Sequence, residues 1–336
     1  MIYSNYSNRI NDLLARKSST KAAFNKSQSA GKISGISEIR SQILREQKDF
    51  TSKIRLNLDA IQDMLSPVHL EAATLGVHPD FKHLKFTEKM AYHHIVSVFV
   101  DLQGSTALFR EYDLEEIFEI TNTVQSAVIH TFIALGGHIQ RLQGDGVFAY
   151  FGGSAMSREK AVERALTASS MISYFMKNDL KNLFEKNGIE DINTRIGIDF
   201  GEDEKVLWAN FGVDHISELT TLSLHTSLAS KMQAYAKANG MVVGQNVKEK
   251  LGGVNDYFSI IKDSKGEEVK RYIFEDVNKN FRYTQYAFDW YKFLKAQPFV
   301  GMYANGDLYL KSQAPVIKKD PAPLGVIASP NRPYNE

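Results

Sequence analysis

Apolar residues first fall into register at Ile36, Ile39, Ile43, Phe50, Ile54, Leu58, Ile61 and Leu65. These steps predict an amphipathic helix that Pro67 ends. Glu46 breaks the stripe where a heptad wants an apolar residue, so the helix suits packing on a main domain or self-association. Before it, residues 1–32 are dominated by Asn, Ser and Lys and read as a disordered or frayed lead-in. The pattern changes at Ile95–Val100, a nearly continuous apolar run closed by Asp101, as in a buried central strand. Leu114, Ile117, Thr121, Val124, Val128, Thr131 and Leu135 then predict a helix over 113–135, stopped by Gly136-Gly137.

His138–Gln143 and Val147–Phe151 read as two strands joined across Gly144-Asp145-Gly146, a tight hairpin. A second helical stripe runs through Ala161, Ala165, Ala168, Ile172 and Phe175, with Ser157 as its cap. Thr194–Phe200 reads as a strand with Lys205–Phe211 as its hairpin partner. Leu224, Leu228, Met232 and Tyr235 mark a third helix that Asn239-Gly240 stops, and strands follow near 241–244, 257–261 and 270–275. This order predicts an α+β fold: a mostly antiparallel central sheet with helices on one face, behind an N-terminal helical extension. The expected division is a lead-in over 1–32, a helical extension over 33–92, a catalytic domain over 93–282, and a C-terminal extension over 283–336 whose Pro-rich end is disordered.

Composition narrows the chemistry. A net charge of +1 over 336 residues gives no bulk drive toward nucleic acid or acidic membranes, so neither is an expected partner. The absence of cysteine excludes disulfides, thiolate catalysis and cysteine-ligated zinc. No apolar run approaches the roughly 18 residues of a spanning helix, and Met1–Arg16 lacks a signal peptide's apolar core. A cytoplasmic location is expected.

Two carboxylates stand out. Asp101 ends the first strand, and Asp145 tips the hairpin whose strands lie beside it. Two carboxylates brought together repel unless a cation sits between them. Oxygen-only ligation selects Mg²⁺ or Mn²⁺, which also bind phosphates, and two such ions can activate an attacking oxygen and stabilise a leaving one. Asp-Gly is also an ordinary turn dipeptide; the pairing with a strand-end Asp carries the reading. After Asp101 comes Leu102-Gln103-Gly104-Ser105-Thr106 and a helical turn, small residues whose N–H groups can approach an anion closely.

The segment from Val96 to Thr106 resembles the first metal-binding strand and phosphate loop of class III nucleotidyl cyclases. His138 to Ala149 resembles their hairpin with the second metal aspartate, and Leu222 to Met232 a later helix that usually carries an Asn and, four residues on, an Arg. The resemblance covers roughly 93–276. It implies the class III catalytic fold, with Asp101, Asp145 and the Leu102 carbonyl as ligands of two Mg²⁺ or Mn²⁺ ions per site. Gly104, Ser105 and Thr106 match the loop over the phosphates. Arg141 falls where purine cyclases place a base-reading residue, and Thr220 falls near the second such position. Ser227 and Lys231 take the places of the Asn and the transition-state Arg, and Lys265 is a candidate for a late triphosphate-binding Lys. Lys keeps the positive charge but loses the planar fork of donors. Such enzymes build each site across a head-to-tail dimer, so a homodimer with two equivalent sites is expected.

Arg141 presents only donors, which suit the carbonyl oxygens of uracil or the carbonyl and ring nitrogen of cytosine. The Arg141–Gly146 run resembles the pyrimidine cyclases of bacterial anti-phage defence, the Pycsar systems, which imply a cyclic nucleotide read by a separate effector protein. His94, seven residues before Asp101, is a candidate base contact. The expectation is a pyrimidine cyclase using UTP ahead of CTP. The rivals are an adenylate or guanylate cyclase of the same fold and a catalytically degenerate nucleotide sensor, which the Ser227 and Lys231 departures favour.

Overall fold

The computed structural model describes residues 3–24 and 74–311, apart from 111, 188, 190–191, 253–254, 263–264, 269–272 and 277–278. The helix expected over 36–65 and the Pro-rich end lie outside the described residues. Seven strands form the central sheet: β2 (Ile95–Gln103), β3 (Gly137–Gln143), β4 (Gly146–Gly152), β5 (Asn193–Gly201), β8 (Gly240–Gly244), β9 (Phe258–Ile260) and β12 (Gln285–Phe288). Their order is β3-β4-β2-β5-β8-β12-β9, and every pairing is antiparallel except β5 with β8.

Period-two alternation sorts the strands' side chains between two faces. Val96, Val98, Val100 and Leu102 of β2 join the main core with α2 (Leu114–Ala134) and α3 (Arg158–Tyr174). Helix α2 starts on a capping box: Asp113 accepts from the Glu116 N–H at 3.0 Å while Glu116 accepts from the Asp113 N–H at 3.2 Å, worth about 1 kcal/mol. Ser157 caps α3 as its sequence predicts. The alternate residues of β2 point the other way. Ser97 bonds Thr226 and Asp101 bonds Gln233, both on α5 (Leu224–Tyr235), so the helices cover both faces rather than one. Gly197 permits this: a Cβ there would stand 2.1 Å from the Ala229 carbonyl oxygen and 2.3 Å from the Gln233 nitrogen.

Three other expectations change. Residues at the start of the chain are helical, α1 (Ser4–Phe24), because their few large apolar residues share a face: Tyr3, Tyr6, Ile10 and Leu14 are buried in the main core. Tyr3 stacks on Phe175 at 4.4 Å and Arg9 pairs with Glu119 of α2 at 2.8 Å. The strand predicted over 205–211 does not pair with β5. It is β6 (Leu207–Val213), which sits between β1 (Met90–Tyr92) and β7 (Ile216–Leu222) in a separate sheet, held by the fully buried Trp208. Finally, the central sheet runs past residue 282. Strand β12 completes it, and α7 (Trp290–Lys295) packs Trp290, Phe293 and Leu294 into the main core.

Candidate active site

Strand pairing builds the acidic site. Val100 of β2 lies opposite Val147 of β4, which sets the hairpin turn beside Asp101. A Cβ on Gly146 would stand 3.1 Å from the Val100 carbonyl oxygen and 3.9 Å from Asp101 Oδ1, so the glycine after Asp145 lets the turn come this near. Gln125 of α2 holds the turn by donating to the Gly144 and Gly146 carbonyls at 2.8 and 3.3 Å. Asp101 and Asp145 are both partly exposed. The other carboxylate oxygen of Asp101 accepts from Arg195 Nη2 at 2.6 Å and from Gln233 Nε2 at 3.0 Å. Arg195 is the register partner of Asp101 on β5. Oδ1 is thus left facing the turn that carries Asp145. This is an oxygen donor set of the hard kind that Mg²⁺ and Mn²⁺ prefer.

Beyond β2 the chain turns at Gly104 (φ 87°) into a short 3-10 turn, Ser105–Arg110. Ser105 Oγ donates to the Leu102 carbonyl at 3.4 Å, and the Ala107 N–H to the Gly104 carbonyl at 2.9 Å. Gly104 and Ser105 are partly exposed and Thr106 is exposed.

Helix α5 turns its buried residues Leu228, Ala229 and Met232 inward and leaves Ser227 and Lys231, four apart, on its exposed side. They point away from the sheet and so away from Asp101 of the same chain. The start of α5 is tied to the sheet by a buried network. Asp199 of β5, fully buried, accepts from Tyr283 Oη at 2.6 Å and bonds His225 Nδ1 at 2.9 Å. Burial pushes the Asp199 carboxyl up, against the opposing effect of His225 and Tyr283, and burial beside Asp199 raises the Tyr283 phenol. The network thereby sets the register of Ser227 and Lys231 over β5.

Arg141 of β3 and Thr220 of β7 have different partners. Arg141 pairs with Glu218 through two N–H groups, and Thr220 bonds the Tyr150 hydroxyl at 3.1 Å. Two predicted residues fall elsewhere. His94 stands at the opposite end of β2, roughly 23 Å from Asp101 by strand rise. It is buried there, with its N–H and Nδ1 on Asp203 Oδ1 at 2.8 and 2.9 Å, so it does not face a base beside Asp101. Lys265 lies five residues beyond the end of β9, the far edge strand, which itself stands four strands from β2, roughly 19 Å by strand spacing. Arg195, Gln233 and Glu218 were not among the predicted residues. An Arg at the edge of an apolar strand was a readable signal, whereas Gln233 and Glu218 meet their partners only through the fold.

Fold and site together describe an α+β domain whose strand end and adjoining hairpin tip each carry a carboxylate. No protein-family model matches the sequence. The chain is 36% identical over 259 residues to a cytidylate cyclase from Staphylococcus aureus, a match covering 76% of this chain and 60% of that protein. It is 35% identical over 233 residues to a cytidylate cyclase from Escherichia coli, covering 67% of this chain and 50% of that protein. The chain therefore spans half to three-fifths of the length of these curated relatives. Among solved structures, the adenylyl cyclase CyaB from P. aeruginosa superposes with a TM-score of 0.49 at 19% identity, over 60% of this chain and 95% of that one. A bacterial light-regulated adenylyl cyclase gives 0.49 at 15%, over 77% and 66%. By sequence, the chain is similar over most of its length to proteins named cytidylate cyclases.

Proposed function

We propose that the chain is a metal-dependent pyrimidine nucleotide cyclase that converts CTP, ahead of UTP, to the 3′,5′-cyclic monophosphate and pyrophosphate. One observation carries the reading: the β2–β4 register sets the Asp145 turn against Asp101 Oδ1. CTP takes first place over the UTP expected from the residues because both relatives are named cytidylate cyclases.

Asp101, Asp145 and the Leu102 carbonyl are the groups that would hold Mg²⁺ or Mn²⁺, two ions per site. When bound, the ions lower the pKa of the ribose 3′-hydroxyl and neutralise charge on the departing phosphates. Arg195 and Gln233 fix one oxygen of Asp101, which leaves the other aimed at the turn. Backbone N–H groups over Gly104, Ser105 and Thr106 receive the triphosphate. The 3′-oxygen attacks the α-phosphorus, the bond to the β-phosphate oxygen breaks, and the hydroxyl proton passes to solvent. Lys231 counters charge growing on the α-phosphate, with Ser227 one turn before it. Arg141 and Thr220 meet the base.

Ser227, Lys231 and Lys265 all lie away from Asp101 of their own chain. They serve the site of a second copy in a head-to-tail homodimer, which then holds two equivalent sites. Among the described residues no helix is long and apolar enough to cross a membrane. The product acts as a second messenger in antiviral defence, on a separate effector protein.

The test is incubation of the purified protein with CTP, UTP, ATP or GTP and Mn²⁺. Cyclic CMP is the expected main product. Cyclic AMP or cyclic GMP as the main product rejects the base assignment, and triphosphate binding without turnover replaces the enzyme with a sensor.

A further inference from the structure

The Arg141–Glu218 pair sits beside an aromatic cluster. Phe99 and Phe148 stack at 4.1 Å with their planes 8° apart, and Phe148 meets Tyr150 edge-on at 4.7 Å. Phe99 is only partly buried, on the same side of β2 as Asp101. Tyr150 reaches Thr220, which shares a face of β7 with Glu218 two residues before it. A β-bulge at Gln140 shifts the β3–β4 register just before Arg141. Gln140 is buried, and its amide donates to Glu218 Oε1 at 3.0 Å and to the Leu219 carbonyl at 2.8 Å. The Glu218 carboxylate is therefore held from two sides while remaining about a third exposed.

The capacity of this pair can be counted. A guanidinium carries five N–H donors, and Arg141 spends two of them on Glu218. A carboxylate offers about four acceptor positions, of which Arg141 and Gln140 take three. The pair thus presents donors and one acceptor side by side, next to a surface on which a flat ring can stack. Cytosine offers the complement: an amino donor at N4 beside acceptors at N3 and O2. Uracil offers an acceptor at O4, where it would face the lone pairs of Glu218, and a donor at N3, where it would face Arg141. Adenine offers an amino group and one ring nitrogen but no third group for Arg141.

We propose that Glu218 is a specificity-determining residue, which accepts the cytosine 4-amino group while Arg141 donates to N3 and O2, so that the site takes CTP and rejects UTP. This rests on the cyclase reading above and names the substrate choice of that same site. Rejection arises from unpaired polar groups and facing lone pairs as much as from attraction.

The experiment is a competition between equal CTP and UTP with Mn²⁺, scored as the ratio of cyclic CMP to cyclic UMP. The wild-type protein is expected to favour CTP by about tenfold or more, the order of one well-paired base edge. Glu218→Gln is expected to lower that ratio by about tenfold, because its amide can turn an N–H toward uracil O4. An unchanged ratio in a turning-over Glu218→Gln protein overturns the assignment. A second measurement needs no variant: the triphosphate of pyrimidin-2-one riboside, cytosine without its amino group, should show kcat/KM at least about tenfold below CTP with the wild-type protein. Equal use of the two overturns the proposal even if the variant does not fold. Wild-type preference for UTP sinks the Glu218 assignment and leaves the cyclase reading standing, whereas no cyclisation of any nucleotide sinks the cyclase reading itself.

Discussion

The two ends of β2 are made from similar materials and differ in what they can bind. At the His94 end, Asp203 Oδ1 takes both the His94 N–H and its imidazole, and Oδ2 is paired with Arg158. Burial pushes the Asp203 carboxyl up, but the His94 amide, the Arg158 guanidinium and the His94 ring outweigh it and hold it well below the usual carboxylate range. His93, His94 and Asp203 offer atoms within 4.8 Å of one another, a metal-like spacing. Both Asp203 oxygens are already engaged, Oδ1 by His94 twice and Oδ2 by Arg158. At the Asp101 end, Arg195 and Gln233 take a single oxygen, and the second faces a glycine turn carrying another carboxylate. The Asp203 carboxylate is committed to its neighbours through both oxygens, whereas Asp101 keeps one oxygen toward the turn that carries Asp145, as the proposed metal site requires. Residue type alone does not distinguish them.

The largest effect that can break this contrast belongs to the open end. Asp101→Ala or Asp145→Ala should each lower turnover by at least about a thousandfold, with the melting temperature nearly unchanged. Retained turnover in both proteins would remove the open end from the mechanism.

The next effect belongs to the closed end and concerns pH. His78 and His138 are buried there with ring centroids 5.0 Å apart. Burial lowers His78 to about 4, against the raising effect of Asp80, and burial with the neighbouring His78 lowers His138 to about 3. The unfolded chain takes up these protons near pH 6.5 and the folded chain does not. Folding stability is therefore full above that pH and falls as the medium is acidified toward the folded values. Between pH 7 and pH 5 the two residues should together cost about 4 kcal/mol of unfolding free energy. Urea unfolding across that range measures it, and His138→Asn should flatten the slope by about half; an unaltered slope would mean that His138 is not the titrating group.

The smallest effect sharpens the comparison. Arg158→Ala removes an exposed ion pair from Asp203 and should leave the melting temperature nearly unchanged, with the proposed cyclase activity within about twofold of wild type. A loss of activity comparable to Asp101→Ala would show that the two ends are not separate in function.

Much of the core was readable. The apolar run ending at Asp101, the period of α2, the Gly-Asp-Gly hairpin and the Ser157 cap are local signals; α2 and the hairpin strands formed within a residue of their predicted limits, and β2 ran three residues past Val100 to Gln103. The first 24 residues were misread because a few aromatic side chains outweigh a polar average once α2 gives them a surface. Strand β6 was misassigned because a hairpin-like spacing after β5 does not reveal that the chain leaves the sheet after Gly201. His94 looked available because sequence distance along a strand does not show which end of the sheet is closed.

Composition, periodicity and turn chemistry by themselves determined the α+β class, the excluded chemistries and the two acidic positions, since each depends on neighbours a few residues apart. The tertiary structure alone decided which acid keeps an open oxygen, which face of α5 is turned outward, and which acceptor stands beside Arg141. Those outcomes depend on partners such as Arg195, Gln233 and Glu218, 77 to 132 residues away along the chain. Contacts at that separation are set by strand order and helix docking, which no local pattern encodes.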